Sequence, residues 1–365
     1  MINVAIVRCE NYAENKVEKS LRKLFEISNL KRFPAEIILK PNMLSARDPS
    51  EAVTTHPSII SELAKIIPGK KFLGDCPPGT KKPIEEYWEK CGYLELFKKN
   101  IIKPIKTEEK SRIFEIVVKD KKIVFPVSES FLNYPVLNVP KFKTHNLTVL
   151  TAAVKNTYGF IPGYSKSLLH AQFPDPEGFN VFIAEYYKTI ENNVFFNVVD
   201  AVEIMEGDGP ANGKKRFYGY LIGGENAIAV DAVCAKIAGL KIEEVPFLRI
   251  YNKKYGIPDF KVVGDTMEVM KNFQKPSSSF IFKIATYKWL SPVFNFLGDR
   301  FKITPVILPD KCQKCFQCYR ICPQKTISKD LKIDRKKCIN CLCCYEVCTS
   351  SAIKLKKSRV AEFFT

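Results

Sequence analysis

The sequence predicts an α/β fold, a mostly parallel sheet flanked by helices, followed by a small cysteine-rich unit of its own architecture. Two observations predict it. Up to about residue 265, strand-like and helix-like segments alternate, and such alternation favours a mostly parallel sheet covered by helices. Nine of the thirteen cysteines then crowd between Cys312 and Cys348.

The strand candidates are Val4–Val7, Glu36–Leu39, Lys71–Gly74, Val136–Val139, Phe195–Val199 and Tyr218–Ile222, each a short apolar run. Residues 113–127 read as a hairpin turning at Lys119–Lys122. Helices are expected over Ala13–Ser28, Pro57–Ile67, Pro83–Lys99, Leu147–Asn156, Phe179–Asn192 and Ala227–Ala238. This divides the chain into an α/β domain over 1–275, a connecting segment over 276–306 and a second domain over 307–365. The connecting segment follows a serine run and mixes aromatics with lysine and arginine. It reads as a linker helix packed on the main domain, or as a basic aromatic helix touching a membrane surface or a redox partner.

Bulk properties narrow the classes. No run of 18 apolar residues occurs, so no transmembrane span is expected. The opening MINVAIVRC reads as a first strand and not as an export signal. The formal net charge of +18 is spread along the chain, often as lysine pairs, without a basic arm. That distribution argues against nucleic acid and suits acidic small substrates or acidic protein partners.

The cysteines carry the sharpest signal. Cys312, Cys315, Cys318 and Cys322, the last followed by Pro323, are echoed by Cys338, Cys341, Cys344 and Cys348. Three closely spaced thiolates wrap one face of a 4Fe–4S cubane, and the fourth of each run ligates the other cluster. The expected ligand sets are therefore Cys312, Cys315, Cys318 and Cys348 for one cluster, and Cys338, Cys341, Cys344 and Cys322 for the other. Eight thiols at this spacing suit two cubanes better than tetrahedral zinc. Residues 310–355 resemble the two-cluster bacterial ferredoxins, which implies a small ferredoxin-like α+β iron–sulfur domain. Two departures occur: Thr349 stands where the first run has Pro323, and Cys343 is an extra thiol read as a packed side chain. Oxygen-sensitive clusters and the strand-like start together predict a cytoplasmic protein.

In an open parallel sheet, ligands bind outside the carboxyl ends of the strands. Four expected strands end in polar or Gly/Pro-rich segments: Lys40-Pro41-Asn42, Asp75-Cys76-Pro77-Pro78-Gly79, Pro140 to Asn146, and Asp200 through Glu206-Gly207-Asp208-Gly209. If extended, Lys141, Lys143 and His145 share one face. A helix start near Leu147 would add positive potential there. Together these make an expected anion site for a carboxylate or phosphate. Lys155 and Asn156, at the far end of that helix, are candidate substrate contacts, although one pocket with His145 is not assumed for them. His56 before Pro57 is a ligand contact or a helix cap. Glu206 and Asp208 could bind a divalent cation or only shape a loop. No dinucleotide or P-loop glycine motif occurs; a flavin is left open, because many flavin sites have no short signature.

The segments KPNML, TTHP, GDCPPG, PKFKTH, AAVKNTYGF, DAVEIMEGDGPANG and AIAVDAVCAKIAG, in this order, resemble domain-of-unknown-function family 362. The resemblance implies an α/β domain associated with iron–sulfur clusters, and it draws attention to Lys40, Asn42, His56, Asp75, Lys143, His145, Lys155, Asn156, Asp200, Glu206, Gly207 and Gly209. The expected function is an iron–sulfur reductase. A low-potential carrier such as ferredoxin supplies electrons, and an anionic substrate sits at the strand ends. Lys141 and Lys143 hold the anion, His145 delivers a proton, and Asp75 or Asp200 orients it or holds a metal. The alternative is an electron carrier or adaptor whose large domain docks a partner enzyme. A third reading is a non-redox enzyme with structural clusters.

Overall fold

The computed structural model describes residues 1–79, 82–173, 175–279 and 303–357. In chain order, β1 (Ile2–Arg8) leads to α1 (Glu14–Ile27), β2 (Glu36–Pro41) to α2 (Pro57–Ile66), and β3 (Lys70–Leu73) to α3 (Ile84–Lys90), α4 (Leu94–Lys98) and the short β4 (Lys103–Pro104). A hairpin of β5 (Ser111–Val118) and β6 (Lys121–Ser128) and then α5 (Glu129–Asn133) precede β7 (Val136–Val139), β8 (Lys141–His145) and β9 (Val149–Thr151). Three helices follow, α6 (Ala153–Thr157), α7 (Ser165–Gln172) and α8 (Pro176–Ile190), then the long pair β10 (Val194–Glu206) and β11 (Lys214–Gly224). After α9 (Ala227–Ile237) and α10 (Pro246–Tyr255), β12 (Phe260–Gly264) closes the large unit. The C-terminal unit holds β13 (Ile303–Ile307), α11 (Gln317–Ile321), α12 (Cys343–Glu346) and β14 (Ile353–Lys357).

The large sheet runs β12-β1-β11-β10-β7-β2-β3-β4. Its neighbours are parallel except at β11, which is antiparallel to both β1 and β10. The expected α/β fold with a mostly parallel, helix-flanked sheet is therefore present. Apolarity on both faces explains the layering. Val4 and Ile6 enter one core while Ala5 and Val7 enter the other; Ile38 opposes Ile37 and Leu39 in the same way. Strands apolar on alternate and intervening positions alike must be covered on both sides. α1, α2 and α3 cover one face and α8, α9 and α10 the other.

Two expectations need correction. The helix expected over Leu147–Asn156 is a strand, β9, and then the shorter α6. Thr148, Val149 and Thr151 are β-branched, and β9 pairs back on β8 in an antiparallel hairpin. No helix therefore starts beside His145. The helix expected over Pro83–Lys99 is two helices, because Gly92 adopts a φ of +78° and ends α3. Strand β10 also runs seven residues past Val199, so Asp200, Glu203 and Glu206 lie on a strand and not in a loop. Most of the 276–306 segment, with its expected linker or membrane role, lies outside the described residues.

Asp231 of α9 shows how the layers are locked. Its carboxylate accepts from the backbone N–H groups of Ala153 (2.6 Å) and Val154 (3.0 Å), anchoring the start of α6. Burial pushes its pKa up to about 7, against the pull of those two donors. A raised carboxyl favours the native state at low pH and loses that contribution as the pH climbs from about 4 to about 7. Asp231→Asn should cost about 1–3 kcal/mol in urea denaturation by opposing an amide N–H to a backbone N–H. It should also flatten the decline in stability between pH 5 and pH 7.5.

Candidate functional site

The carboxyl ends of β2, β3 and β8 meet α6 at one cleft with a cavity of about 70 Å³. Lys40 ends β2 and forms an ion pair with Asp75 beyond β3, Nζ to Oδ1 at 2.8 Å. The other Asp75 oxygen accepts from Met43 N at 2.9 Å. Gly159 packs so closely on this pair that a Cβ there would collide with Asp75 Oδ1 and Lys40 Nζ.

Lys143 of β8 donates to Asn42 Oδ1 (2.8 Å) and Val53 O (2.7 Å). From Asn42 a chain of side-chain amides crosses the sheet. Asn42 Nδ2 donates to Asn156 Oδ1 at 2.8 Å, Asn156 to Asn138 at 2.7 Å, and Asn138 to Asn197 at 2.9 Å. Asn197 donates onward to Gly224 O at 3.0 Å. Asn138 and Asn197 sit mid-strand among Leu, Val and Phe, where no motif singles them out. Their signal was polarity inside otherwise apolar runs.

His145 also lines the cleft. Its Nδ1 accepts from Leu147 N at 3.0 Å, so the proton of the neutral ring resides on Nε2, which faces Glu346 Oε1 at 3.4 Å. Burial, then Lys155, His170 and Lys143, hold this imidazole well below its ordinary value. The ring is neutral at pH 7, which corrects the expectation of a histidine poised to give up a proton there.

Lys155 on α6 shares the cleft with His145. The strand β9 takes up the intervening residues and folds α6 back over β8. Lys155 Nζ lies 4.4 Å from the Tyr158 ring centroid and 5.7 Å from that of Phe179. It makes no hydrogen bond or ion pair among the described residues. Burial lowers its pKa to about 8, partly offset by Glu346.

The remaining expected residues fall elsewhere. Lys141 pairs with Asp200 at 3.0 Å, and Asp200 also accepts from Tyr12 OH (2.9 Å) and His56 N (3.0 Å). His56 caps α2 by accepting from Ser58 N at 3.2 Å and stacks on Tyr12 with centroids 3.7 Å apart. With its charge neutralised and its donors used, this is a second, self-satisfied cluster. Glu206 pairs with Arg216 at 3.1 Å and accepts from Gln274 N. Gly207 donates to Gln274 O, and Gly209 packs against Thr144.

The C-terminal unit closes the cleft. Ile321, Cys343, Glu346 and Val347 line it, so Cys343 is a cleft residue and not only packing. Arg47 donates to Cys348 O and to Asn212 Oδ1 (3.0 Å) and pairs with Glu51 at 2.9 Å. Tyr345 OH donates to Asp208 O. Glu346, Lys166 and Cys343 were missed in the sequence because their place in the site depends on docking between distant segments.

Within that unit the cysteines divide into two groups around two small cavities of about 10 and 20 Å³. Cys312, Cys315, Cys318 and Cys348 line the first; Cys322, Cys338, Cys341 and Cys344 line the second. The backbone repeats with them. Lys314 and Asn340, Phe316 and Leu342, and Lys325 and Ser351 are matched pairs 26 residues apart, all with φ between 51° and 61°. Among the described residues, no group of three or more His, Cys, Asp or Glu side chains converges tightly enough for one metal ion.

These features define a class: a helix-flanked α/β sheet with a buried, lysine-rich cleft at its strand ends, walled by a cysteine-rich unit. Residues 37–236 match the family described as Domain of unknown function (DUF362), and the chain belongs to that family. A thylakoid-associated protein of Synechocystis sp., sll1697, is 28% identical over 254 residues, covering 67% of this chain and 77% of its own length. The lactate racemase apoprotein of Thermoanaerobacterium thermosaccharolyticum aligns at a TM-score of 0.42 and 11% identity, over 66% of this chain and 58% of that one. No helix among the described residues is long and apolar enough to cross a membrane.

Breaking the Lys40–Asp75 pair leaves a buried, uncompensated carboxylate. Lys40→Met should cost about 3–5 kcal/mol in chemical denaturation. The double variant Lys40→Met with Asp75→Asn should regain most of it.

Proposed function

We propose that the chain is an iron–sulfur reductase that passes electrons from two 4Fe–4S clusters in a ferredoxin-like C-terminal unit to a small anionic substrate in the strand-end cleft. The observation that carries this reading is the shared wall. Ile321, Cys343 and Val347 line the cleft, and each adjoins one of the eight ligand cysteines, Cys322, Cys344 and Cys348.

The residues fit the clusters. Two cavities each surrounded by four thiols match the two expected ligand sets, and they differ from the tight tetrahedron of a single zinc ion. The repeated positive-φ residues are an unfavourable conformation for side chains such as Phe316 and Leu342, kept where surrounding structure demands it. Cys312, Cys315, Cys318 and Cys348 would hold one cluster and Cys338, Cys341, Cys344 and Cys322 the other. Bound there, the clusters would supply electrons one at a time from a low-potential carrier.

The chain's own residues prepare the cleft. Lys155, without a carboxylate partner, attracts an anion, and the enclosing walls strengthen that attraction by excluding water. Lys40 and Asp75 neutralise each other and fix the floor. His145 presents its Nε2–H toward Glu346 and orients rather than acidifies.

Anaerobically purified protein should carry about eight iron and eight labile sulfide per chain. Cys344→Ser should lower that content, whereas Cys343→Ser should leave it unchanged. Dithionite-reduced protein should be reoxidised by at least one of fumarate, pyruvate and glyoxylate; iron-free protein, or no reoxidation by any of them, sinks the reading. Oxalate, titrated calorimetrically, should bind more weakly as the pH rises through about 8, where Lys155 loses its charge. Lys155→Met should weaken it roughly tenfold or more at pH 7, the loss of one charge-assisted hydrogen bond.

A further inference from the structure

Of the four buried lysines among the described residues, three have their amines committed. Lys40 and Lys141 pair with Asp75 and Asp200, and Lys143 donates to Asn42 and Val53. Lys155 is only 8% exposed, lines the cleft, and has aromatic rings as its near neighbours. An ammonium in such a place is poorly solvated and unpaired, a state that favours the neutral amine. A desolvated lysine beside other cations is the arrangement that turns an ammonium into a nucleophile. Lys40, Lys143 and Lys166 line the same cleft.

We propose that Lys155 is a covalent nucleophile that forms an imine with the carbonyl carbon of a small oxo acid bound in the cleft. This rests on the reading of the cleft as the substrate site and names the substrate class. The Lys155 nitrogen adds to the carbonyl carbon, a C=N bond replaces the C=O bond, and the oxygen leaves as water with the two amine protons. No electrons are exchanged in this step. The carboxylate of the oxo acid lies among the remaining lysines, and the Tyr158 and Phe179 rings keep bulk water from hydrolysing the imine. At pH 7, a lysine near 8 holds roughly two- to three-hundredfold more free amine than one with the ordinary value, enough to distinguish it from surface lysines.

The test is reductive trapping on the anaerobically purified full-length chain at pH 7. Pyruvate and sodium cyanoborohydride are added, with and without excess oxalate, and peptides are mapped by mass spectrometry. The expected result is a carboxyethyl increment on Lys155, forming on the order of tenfold faster than on any surface lysine and suppressed by oxalate. Mapping on the unaltered chain makes the result independent of whether a variant folds. Lys155→Arg, which keeps the charge, should still bind oxalate but give no trapped adduct in the cleft. Oxalate or pyruvate binding without an increment on Lys155 overturns the proposal and leaves the cleft reading standing. Neither binding nor trapping overturns both.

Discussion

Burying an amine and three amides, with a fourth amide half-buried, requires that every buried donor find an acceptor, and the cleft is organised around that requirement. The chain that begins at Lys143 Nζ and passes through Asn42, Asn156, Asn138 and Asn197 to the Gly224 carbonyl runs in a single donor-to-acceptor direction. An interruption would strand a buried polar atom, at a penalty larger than the net gain of an ordinary hydrogen bond. The chain also stitches β8, the segment after β2, α6, β7, β10 and β11 to one another. The geometry of the cleft is thus set by a constraint that reaches across the whole sheet, and not by its surface loops.

The overall fold was legible in the sequence where hydrophobic pattern decides it. Val4 to Val7 and Ile37 to Leu39 are apolar on every position, and Val136 to Val139 on all but Asn138, which only a doubly covered strand tolerates. The failures came where pattern is ambiguous. Thr148 to Asn156 contains both helix-compatible alanines and β-branched residues, and pairing with β8 decided in favour of a strand over its first half. That single change moved Lys155 from a distant helix end into the cleft. The site was legible at its strand ends, in Lys40, Asn42, Asp75, Lys143 and His145. It was not legible in Glu346 or Cys343, more than 190 residues from Lys143 in sequence and brought to the cleft only by docking.

That docking is specific. Arg47 bridges the loop after β2 to the Cys348 carbonyl and, through Asn212, to the turn after β10; Ser351 and Asn212 share a 2.7 Å hydrogen bond, and Tyr345 reaches Asp208. Buried arginine is suited to this task, because its planar fork satisfies several acceptors while retaining charge. The same loop after β10 therefore serves the interface. The Tyr12–His56–Lys141–Asp200 cluster plays the equivalent role at the other side of the sheet, closing upon itself.

The position of β1 has a consequence for how the chain is born. Its two neighbours are β11, where Ala5 faces Gly223, and β12, where Val4 faces Val262. β1 thus waits for more than 200 further residues of synthesis before either edge is satisfied. Closing so long a loop is slow, and a bare apolar strand is a template for the wrong partner meanwhile. The nascent protein depends in that interval on α1, whose Val17, Leu21 and Leu24 can shelter one face of β1 at once. β1 is made well before either of its partners and is paired on both sides only once β11 and β12 exist.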